Sequence, residues 1–229
     1  MTSLEDLINE ISSNVYFLKL KSIVENSAGW HDQEDVYSHS IKTADIAKNQ
    51  IEGGFIINPE ANEKFHHFIN ENVYGQPRKD LMVLIGLVHD CGKILSYKEE
   101  GNTFPLIANK PDLPDQTMCP GHEYYGGKLV VKEILKNITL SSEAKDYIAD
   151  IVRLHDSLNN YLYYVQKSDW PIEAIVSDIK SKAEGYYIEA MFNAYCDCYT
   201  AKPFQQAKKI IENIFNTPSL YKKRKYFLS

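Results

Sequence analysis

Histidine and aspartate residues recur in this 229-residue chain at positions suited to metal binding. They lie on or at the end of segments whose apolar spacing predicts helices. Neutral imidazole nitrogens and carboxylate oxygens bind borderline and hard divalent ions, and such a site needs no thiolate. A helical bundle can hold a metal centre when several helices each project one ligand inward. The candidate ligands are His39, His89, Asp90, His122, His155 and Asp197.

The adjacent pair His89-Asp90 stands at the end of the most apolar segment of the chain, residues 81–88. Burying a histidine and a carboxylate together is costly unless a partner compensates them, and a shared cation is one such partner. Gly92 then ends the predicted helix. Lys93 follows it and places a positive charge where it could meet a substrate phosphate.

Each of these residues, taken alone, has an ordinary structural explanation. His39 or His155 alone is more often a hydrogen-bonded core histidine than a ligand, and Asp197 alone fits an ordinary buried or surface acid. The His-Asp dipeptide also occurs at positions 31–32 and 155–156, so one such pair is weak evidence. The combination of all the sites, in one order on one helical scaffold, favours the metal centre.

The elements that must position these residues are predicted to be helices. Residues 81–88 also fit a buried strand, since periodicity does not separate the two. Residues with β propensity on both sides of Gly101-Asn102 allow a small β-hairpin near residues 94–109. The predicted fold is therefore all-α, a helical bundle in a single domain over residues 1–229. The main predicted helices are 35–51, 62–73, 81–90 (with Asp80 as N-cap), 122–136, 142–156, 171–182, 186–199 and 203–216.

Composition argues against several classes of function. With 44% hydrophobic residues the chain can bury a sizeable core, and its net charge of −6 gives no general help in gripping nucleic acid, although a local basic patch could. The opening segment lacks the cationic region of a signal peptide, and no apolar run is long enough to span a membrane. Four cysteines without such a signal favour reduced thiols and a cytoplasmic location. Cys196 and Cys198 flank Asp197, but we interpret them as packing residues.

The order His39, His89-Asp90, Asp197 resembles the H…HD…D pattern of the HD superfamily of metal-dependent phosphohydrolases. A longer resemblance covers roughly residues 35–205. The runs VYSHS, VHDCGK, FPLI with PGHEYYGG, RLH and AYCDCYTA look like the HD domain that follows the nucleotidyltransferase half of bacterial CCA-adding enzymes. No strand followed by a Gly-Ser and paired-Asp pattern is present, so the polymerising activity is not implied.

The resemblance implies a role for each site residue. His122 and His155 would hold a second ion that the Asp90 carboxylate bridges to the first, and Lys93 would face phosphate. Asp90 and Lys93 are thus the expected catalytic residues. Cys91 stands where an aliphatic residue is usual, and residues 93–122 look remodelled, so no relative's substrate carries over. The implied ligands of the first ion are His39, His89, Asp90 and Asp197.

The expected cofactor is one or two divalent ions per site, from among Mn, Mg, Co, Ni, Fe and Zn. Such ions lower the pKa of a bound water and produce a hydroxide that attacks phosphorus. The expected partner is a small phosphorylated substrate: a nucleotide, a cyclic nucleotide or a short phosphodiester. Several of the 16 tyrosines could stack on a base, or they could simply pack. The sequence does not indicate the oligomeric state.

Two other functions remain open. The chain could be a catalytically degenerate HD domain that binds a nucleotide or another protein, or an oxygenase of the di-iron HD kind. Glu123 likewise has two interpretations. It could orient a ligand histidine, or it could be an exposed acid in the first turn of a helix.

Overall fold

The computed structural model describes residues 2–24, 34–96, 119, 121–165, 169–183, 185–201 and 205–222. Over these residues the protein is a bundle of helices with one two-stranded sheet, which confirms the predicted all-α fold. No helix within these ranges is long and apolar enough to cross a bilayer.

The elements form two consecutive sets along the chain, the first ending at Ser96 and the second beginning at His122. The first set comprises α1 (Leu4–Ser12), α2 (Val15–Leu18), a 3-10 turn (Lys19–Ser22), α3 (Val36–Gly53), α4 (Pro59–Asn70), β1 (Asn72–Val73), β2 (Gln76–Pro77), α5 (Arg78–Val88) and α6 (Lys93–Ser96). The second set comprises α7 (His122–Tyr125), a π-helical segment (Gly126–Val130), α8 (Val131–Leu135), α9 (Ser142–Val165), α10 (Ile172–Lys182), α11 (Tyr187–Asp197), α12 (Gln205–Phe215) and a closing 3-10 turn (Pro218–Tyr221).

Local side chains determine where two of these helices begin. At α1 the Ser3 hydroxyl accepts a hydrogen bond from the Asp6 backbone N–H, and the Asp6 carboxylate accepts one from the Ser3 backbone N–H. At α3 the Asp35 carboxylate accepts the Ser38 N–H at 2.9 Å. This cap starts α3 one turn before His39.

Helix α5 corrects one prediction and settles an ambiguity. It begins at Arg78, directly after Pro77, so Asp80 is an acid of the first turn and not the N-cap. An acid there is favourable because the helix N-terminus carries partial positive charge. All eight residues from Leu81 to Val88 are buried, so this run is a helix surrounded by protein and not a buried strand.

The two-stranded sheet lies where the sequence did not predict one. Strand β1 pairs with β2 through a two-residue turn at Tyr74 and Gly75, whose φ angles are 52° and 87°. Positive φ at both positions is the geometry of a tight hairpin turn. Of the hairpin predicted near residues 94–109, residues 94–96 belong to α6 and the remainder lies outside the described residues.

Helix α5 is the centre of the bundle. Helices α3, α9 and α11 all pack against it. Fully burying one large apolar side chain contributes about 1.5–3 kcal/mol, so a helix buried on every side is held firmly in place. The residues that follow its last turn, His89 and Asp90, are therefore fixed in the interior, where they are 0% and 2% exposed.

Candidate metal centre

The structure brings one group of four candidate ligands together at the end of α5. The closest pair is His39 Nε2 and Asp197 Oδ1, 2.8 Å apart. His89 Nε2 lies 3.3 Å from the same oxygen and 3.4 Å from Asp90 Oδ2. His39 Nε2 is 3.8 Å from Asp90 Oδ2. Side chains from α3, α11 and the turn after α5 thus converge on one buried point, as the sequence order predicts.

A second group shares Asp90 with the first. His122 Nε2 lies 3.3 Å and His155 Nε2 lies 3.9 Å from Asp90 Oδ1, whereas the first group faces Oδ2. The two imidazoles approach each other, with their Nε2 atoms 3.0 Å apart. The Asp90 carboxylate therefore has one oxygen towards each group, which is the arrangement of a bridging ligand.

Backbone carbonyl groups orient three of the four histidines. His89, His122 and His155 each direct Nδ1 at the carbonyl oxygen three residues earlier in the chain, at 2.8, 2.8 and 2.6 Å. A carbonyl only accepts, so each Nδ1 carries a hydrogen and donates it. In a neutral ring the Nε2 lone pair is then available, and in all three it faces the Asp90 carboxylate. The accepting carbonyls belong to Gly86, Cys119 and Val152.

These contacts fit a cation. The Nε2 atoms of His122 and His155 are 3.0 Å apart, and in two neutral rings their lone pairs would face and repel each other. An added proton or a metal ion bound by both nitrogens removes this repulsion. The buried Nε2 of His89 likewise has no hydrogen-bond partner among the described residues. Imidazole nitrogens with carboxylate oxygens are a donor set for borderline and hard divalent ions. The residues present therefore suit one ion in each group.

The electrostatics of the site are those of a centre that attracts positive charge. Burial lowers the pKa of His89, but the carboxylates of Asp90 and Asp197 outweigh burial and raise it to about 10. Burial and the neighbouring His122 lower the pKa of His155 to about 3. Although burial opposes it, the cations around Asp90, above all His89 and Lys93, hold its pKa well below the usual range. In the absence of a metal, protons on His89 compensate the buried carboxylates, so a metal ion must displace them.

Lys93 lies beside the same carboxylate. Its side chain is buried, 4% exposed, and its Nζ is 2.8 Å from Asp90 Oδ2. The short helix α6 begins at Lys93, so the turn through Gly92 carries both the carboxylate and the ammonium into the centre. The structure therefore places the ammonium in direct contact with the candidate ligand Asp90, closer than the sequence order alone indicates.

Sequence reasoning missed two acids near the centre. Glu34 Oε2 lies 4.0 Å from His39 Nδ1 and 3.4 Å from Lys42 Nζ, and nothing in the local sequence marks it. Burial raises the pKa of Asp156, and so do the nearby carboxylates of Glu123, Asp197 and Asp90, while His122 lowers it. Asp156 belongs to the second His-Asp dipeptide, which is the signal that could have identified it.

Glu123 is close to a candidate ligand without bonding it. Its Oε2 is 3.8 Å from His122 Nδ1, which is beyond hydrogen-bond range, and the side chain is 26% exposed. The His122 Nδ1 hydrogen instead goes to the Cys119 carbonyl. Glu123 therefore makes no hydrogen bond that would orient His122. It is a partly exposed acid in the first turn of α7, at the edge of the centre.

Comparison with known proteins agrees with this geometry. The HD-domain family model matches residues 36–201, a range that includes all six candidate ligands and Lys93. A search of curated proteins finds no match, so no relative supports the narrower resemblance to the HD domain of CCA-adding enzymes. Because the family match covers most of the chain, the protein belongs to the HD-domain family.

Proposed function

We propose that the protein is a metal-dependent phosphohydrolase, acting as a phosphomonoesterase or phosphodiesterase on a nucleotide, a cyclic nucleotide or a short phosphodiester. One observation carries the proposal: two groups of candidate ligands, all of them buried except the partly exposed His122, share the Asp90 carboxylate. Membership of the HD-domain family supports it, since HD domains are generally metal-dependent hydrolases.

We assign His39, His89, Asp90 and Asp197 to one divalent cation, and Asp90, His122 and His155 to a second. Bound there, such cations would lower the pKa of a water nucleophile and offset charge on the phosphoryl oxygens. Three of the histidines, His89, His122 and His155, are held for this task by Nδ1 hydrogen bonds to backbone carbonyls, which leave their Nε2 atoms facing the centre.

Lys93 is assigned to the substrate phosphate. Its ammonium is held 2.8 Å from Asp90 and is almost fully buried, so the charge is already ordered and partly desolvated before a substrate arrives. An ammonium in a site of low polarity attracts phosphoryl oxygens more strongly than one in water. Asp90 thus has two tasks, as a cation ligand and as the group that positions Lys93.

Aromatic groups beside His122 support a substrate that contains a base. Tyr124 and Tyr125 follow this ligand in α7, are 49% and 37% exposed, and contact each other edge to face with ring centres 5.7 Å apart. Exposed tyrosine rings next to a phosphate site can stack on a nucleobase. We also propose a single domain, since one cluster of buried apolar residues extends from Leu7 to Leu220.

The test is a screen of the purified, metal-stripped protein on nucleotides, cyclic nucleotides and short oligonucleotides, with Mn²⁺, Mg²⁺, Co²⁺, Ni²⁺, Fe²⁺ or Zn²⁺ added singly. We expect turnover of at least one phosphate ester that requires an added cation. Asp45, an exposed acid on α3, supplies the matched control Asp45→Ala, which should retain turnover when Asp90→Ala does not. Iron that cycles between oxidation states without hydrolysis would indicate an oxygenase, and protein that binds none of these ions would indicate a binding module.

A further inference from the structure

Three glycines lie where the backbones that carry the second group of ligands touch one another. Gly92 follows Asp90 in the turn after α5, and Gly126 and Gly127 follow His122 at the start of the π-helical segment. An ideal Cβ built on Gly92 would overlap the carbonyl oxygen of His122 and lie 2.5 Å from the Gly126 nitrogen. The turn that carries Asp90 therefore packs directly on the helix that carries His122.

The other face of this helix packs against α9, which carries His155. A Cβ on Gly127 would lie 2.6 Å from the carbonyl oxygen of Ala149 and 2.8 Å from Cβ of Arg153. A Cβ on Gly126 would lie 3.1 Å from Val152 Cγ1 and 3.3 Å from the Gly92 nitrogen. Gly127 thus meets backbone, which cannot rotate away, whereas the nearest neighbour of Gly126 is the end of a side chain.

The helices of the first group do not meet in this way. The glycine inside α5, Gly86, faces Thr43 of α3, and a Cβ there would find its nearest atoms at 3.5 Å, an ordinary contact. A methyl group at Gly86 would therefore fit in ordinary van der Waals contact with the side chain and backbone of Thr43, so the contact between α3 and α5 does not require a glycine there. Close backbone contact at glycine is a property of the Asp90–His122–His155 side of the centre.

From this difference we infer that Gly126 and Gly127 are positioning residues for the second cation site, because they let the backbones bearing Asp90, His122 and His155 approach closely enough for the three side chains to converge. The inference rests on the proposed two-cation function. A methyl group on Gly127 must move from 2.6 Å to ordinary contact at 3.4 Å or more, which shifts the helix by roughly 0.8 Å. Binding constellations tolerate only about 0.5 Å of displacement.

The experiment compares Gly127→Ala, Gly126→Ala and the matched control Gly53→Ala, whose added methyl group would meet nothing within 4 Å. Mn²⁺ bound per chain is measured by titration calorimetry and elemental analysis, and the electron paramagnetic resonance spectrum shows whether the ions are coupled through a bridging ligand. Circular dichroism and thermal denaturation of the metal-free proteins monitor the fold. Wild type and Gly53→Ala should bind two coupled ions.

Gly127→Ala should bind one ion with wild-type affinity and lose the coupled spectrum. Gly126→Ala should bind both, the second at least about 10-fold more weakly, because its nearest neighbour is a side chain that can yield. Two coupled ions of wild-type affinity in Gly127→Ala would overturn the inference and leave the proposed function standing. Equal weakening of both ions would also overturn it, since that is the mark of a general structural role.

Two further outcomes are decisive. If Gly127→Ala does not fold, the test rests on Gly126→Ala. Weaker binding of the second Mn²⁺ ion supports the inference, and unchanged affinity for that ion overturns it. If wild type itself binds only one ion, the two-cation form of the proposed function fails, and the inference fails with it. The failure of the function is thus visible in the wild type, and the failure of the inference alone only in the variants.

Discussion

Two polar clusters lie along α5, α9 and α11, and they differ in what completes them. The candidate metal centre also takes His39 from α3 and His122 from α7. The clamp, as we call Arg78, Tyr147 and Glu189, joins the early parts of α5, α9 and α11. About two to three turns further along each helix, the chain reaches the metal centre at His89, His155 and Asp197. The same helix packing therefore positions both clusters.

The clamp is completed by the protein itself. Arg78 Nη1 donates to Glu189 Oε1 at 2.6 Å, and the Tyr147 hydroxyl donates to the same oxygen at 2.6 Å. Arg78 Nη2 donates to Glu71 at 2.7 Å, and the guanidinium stacks over Phe68. The two carboxylates balance the charge of the guanidinium, so no external cation is required, although the buried Arg78 Nε and Glu189 Oε2 have no hydrogen-bond partner among the described residues.

The metal centre is not completed in this way. Its histidines direct their Nε2 atoms at one another and at two carboxylates, and without a metal His89 must carry a second proton to compensate those carboxylates. Lys93 brings one cationic side chain to the centre, where it contacts Asp90. The comparison teaches that burial of charge is not itself the sign of a functional site. The sign is the convergence of several imidazole nitrogens and carboxylate oxygens on one point.

Among the variants that test this comparison, we expect Asp90→Ala to have the largest effect on turnover. This change removes a ligand from both groups, so turnover should fall by more than about 10³-fold, beyond the loss typical of one stabilising group. The helical fold should persist, because crowded site groups carry local strain that the change relieves. Turnover on the best substrate, bound metal and circular dichroism check this. Full turnover would refute the mechanism.

Glu189→Ala should give the opposite result. It leaves Arg78 without its buried partner, and removing one member of a buried pair costs about 3–5 kcal/mol. We expect the lower part of that range, because Glu71 still holds the guanidinium. Urea denaturation should show this loss, while the protein that remains folded binds the same number of ions. A loss of metal with unchanged stability would mean that the two clusters are not separate in function.

Lys93→Ala tests whether Lys93 acts on the substrate phosphate and not on metal binding. Turnover should fall by about 10²-fold through weaker handling of phosphate. Bound metal should not fall, because the ammonium is a neighbour of Asp90 and not a ligand. Steady-state kinetics and elemental analysis are measured on the same sample. Loss of metal from this variant would show that Lys93 supports the ligands more than the substrate.

The smallest effect concerns pH. The folded pKa of His89 is raised from 6.5 to about 10, so its contribution to the stability of the metal-free protein is fully present below pH 6.5 and is lost as pH rises towards 10. Cation binding has the opposite slope, because the ion needs the deprotonated ring. Urea denaturation between pH 6.5 and 9.5 should show stability falling with pH in the metal-free protein and nearly independent of pH with saturating Mn²⁺, because the two effects cancel. Parallel slopes would mean that His89 does not bind the ion.

Local chemistry made much of the fold predictable. The apolar periodicity of α3 and α5, and the Ser3 cap of α1, follow from side chains within a few residues. The β1–β2 hairpin was missed because its turn needs positive φ at Tyr74, a residue type that rarely adopts it. The sequence favours Asp80 as a cap because the apolar run begins after it, although the helix begins at Arg78, directly after Pro77.

The candidate site was predictable in its members but not in its geometry. Residue types and their order indicated His39, His89 and Asp197, but no sequence pattern states that both imidazoles lie within 3.3 Å of the Asp197 carboxylate. The clamp gave no sequence signal, because Arg78 and Glu189 are far apart in the chain and each looks like an ordinary surface charge. The glycine contacts also depend on how distant backbones meet. Such long-range pairings arise only from packing.

The most direct test of the account is a crystal structure of the protein grown with Mn²⁺, with diffraction data collected at the manganese absorption edge. Anomalous scattering locates the ions independently of any assumption about ligands. The account predicts one peak among His39, His89, Asp90 and Asp197 and a second among Asp90, His122 and His155, about 3.5–4 Å apart as in known two-metal sites. Fully occupied manganese elsewhere, with no peak beside Asp90, would contradict it.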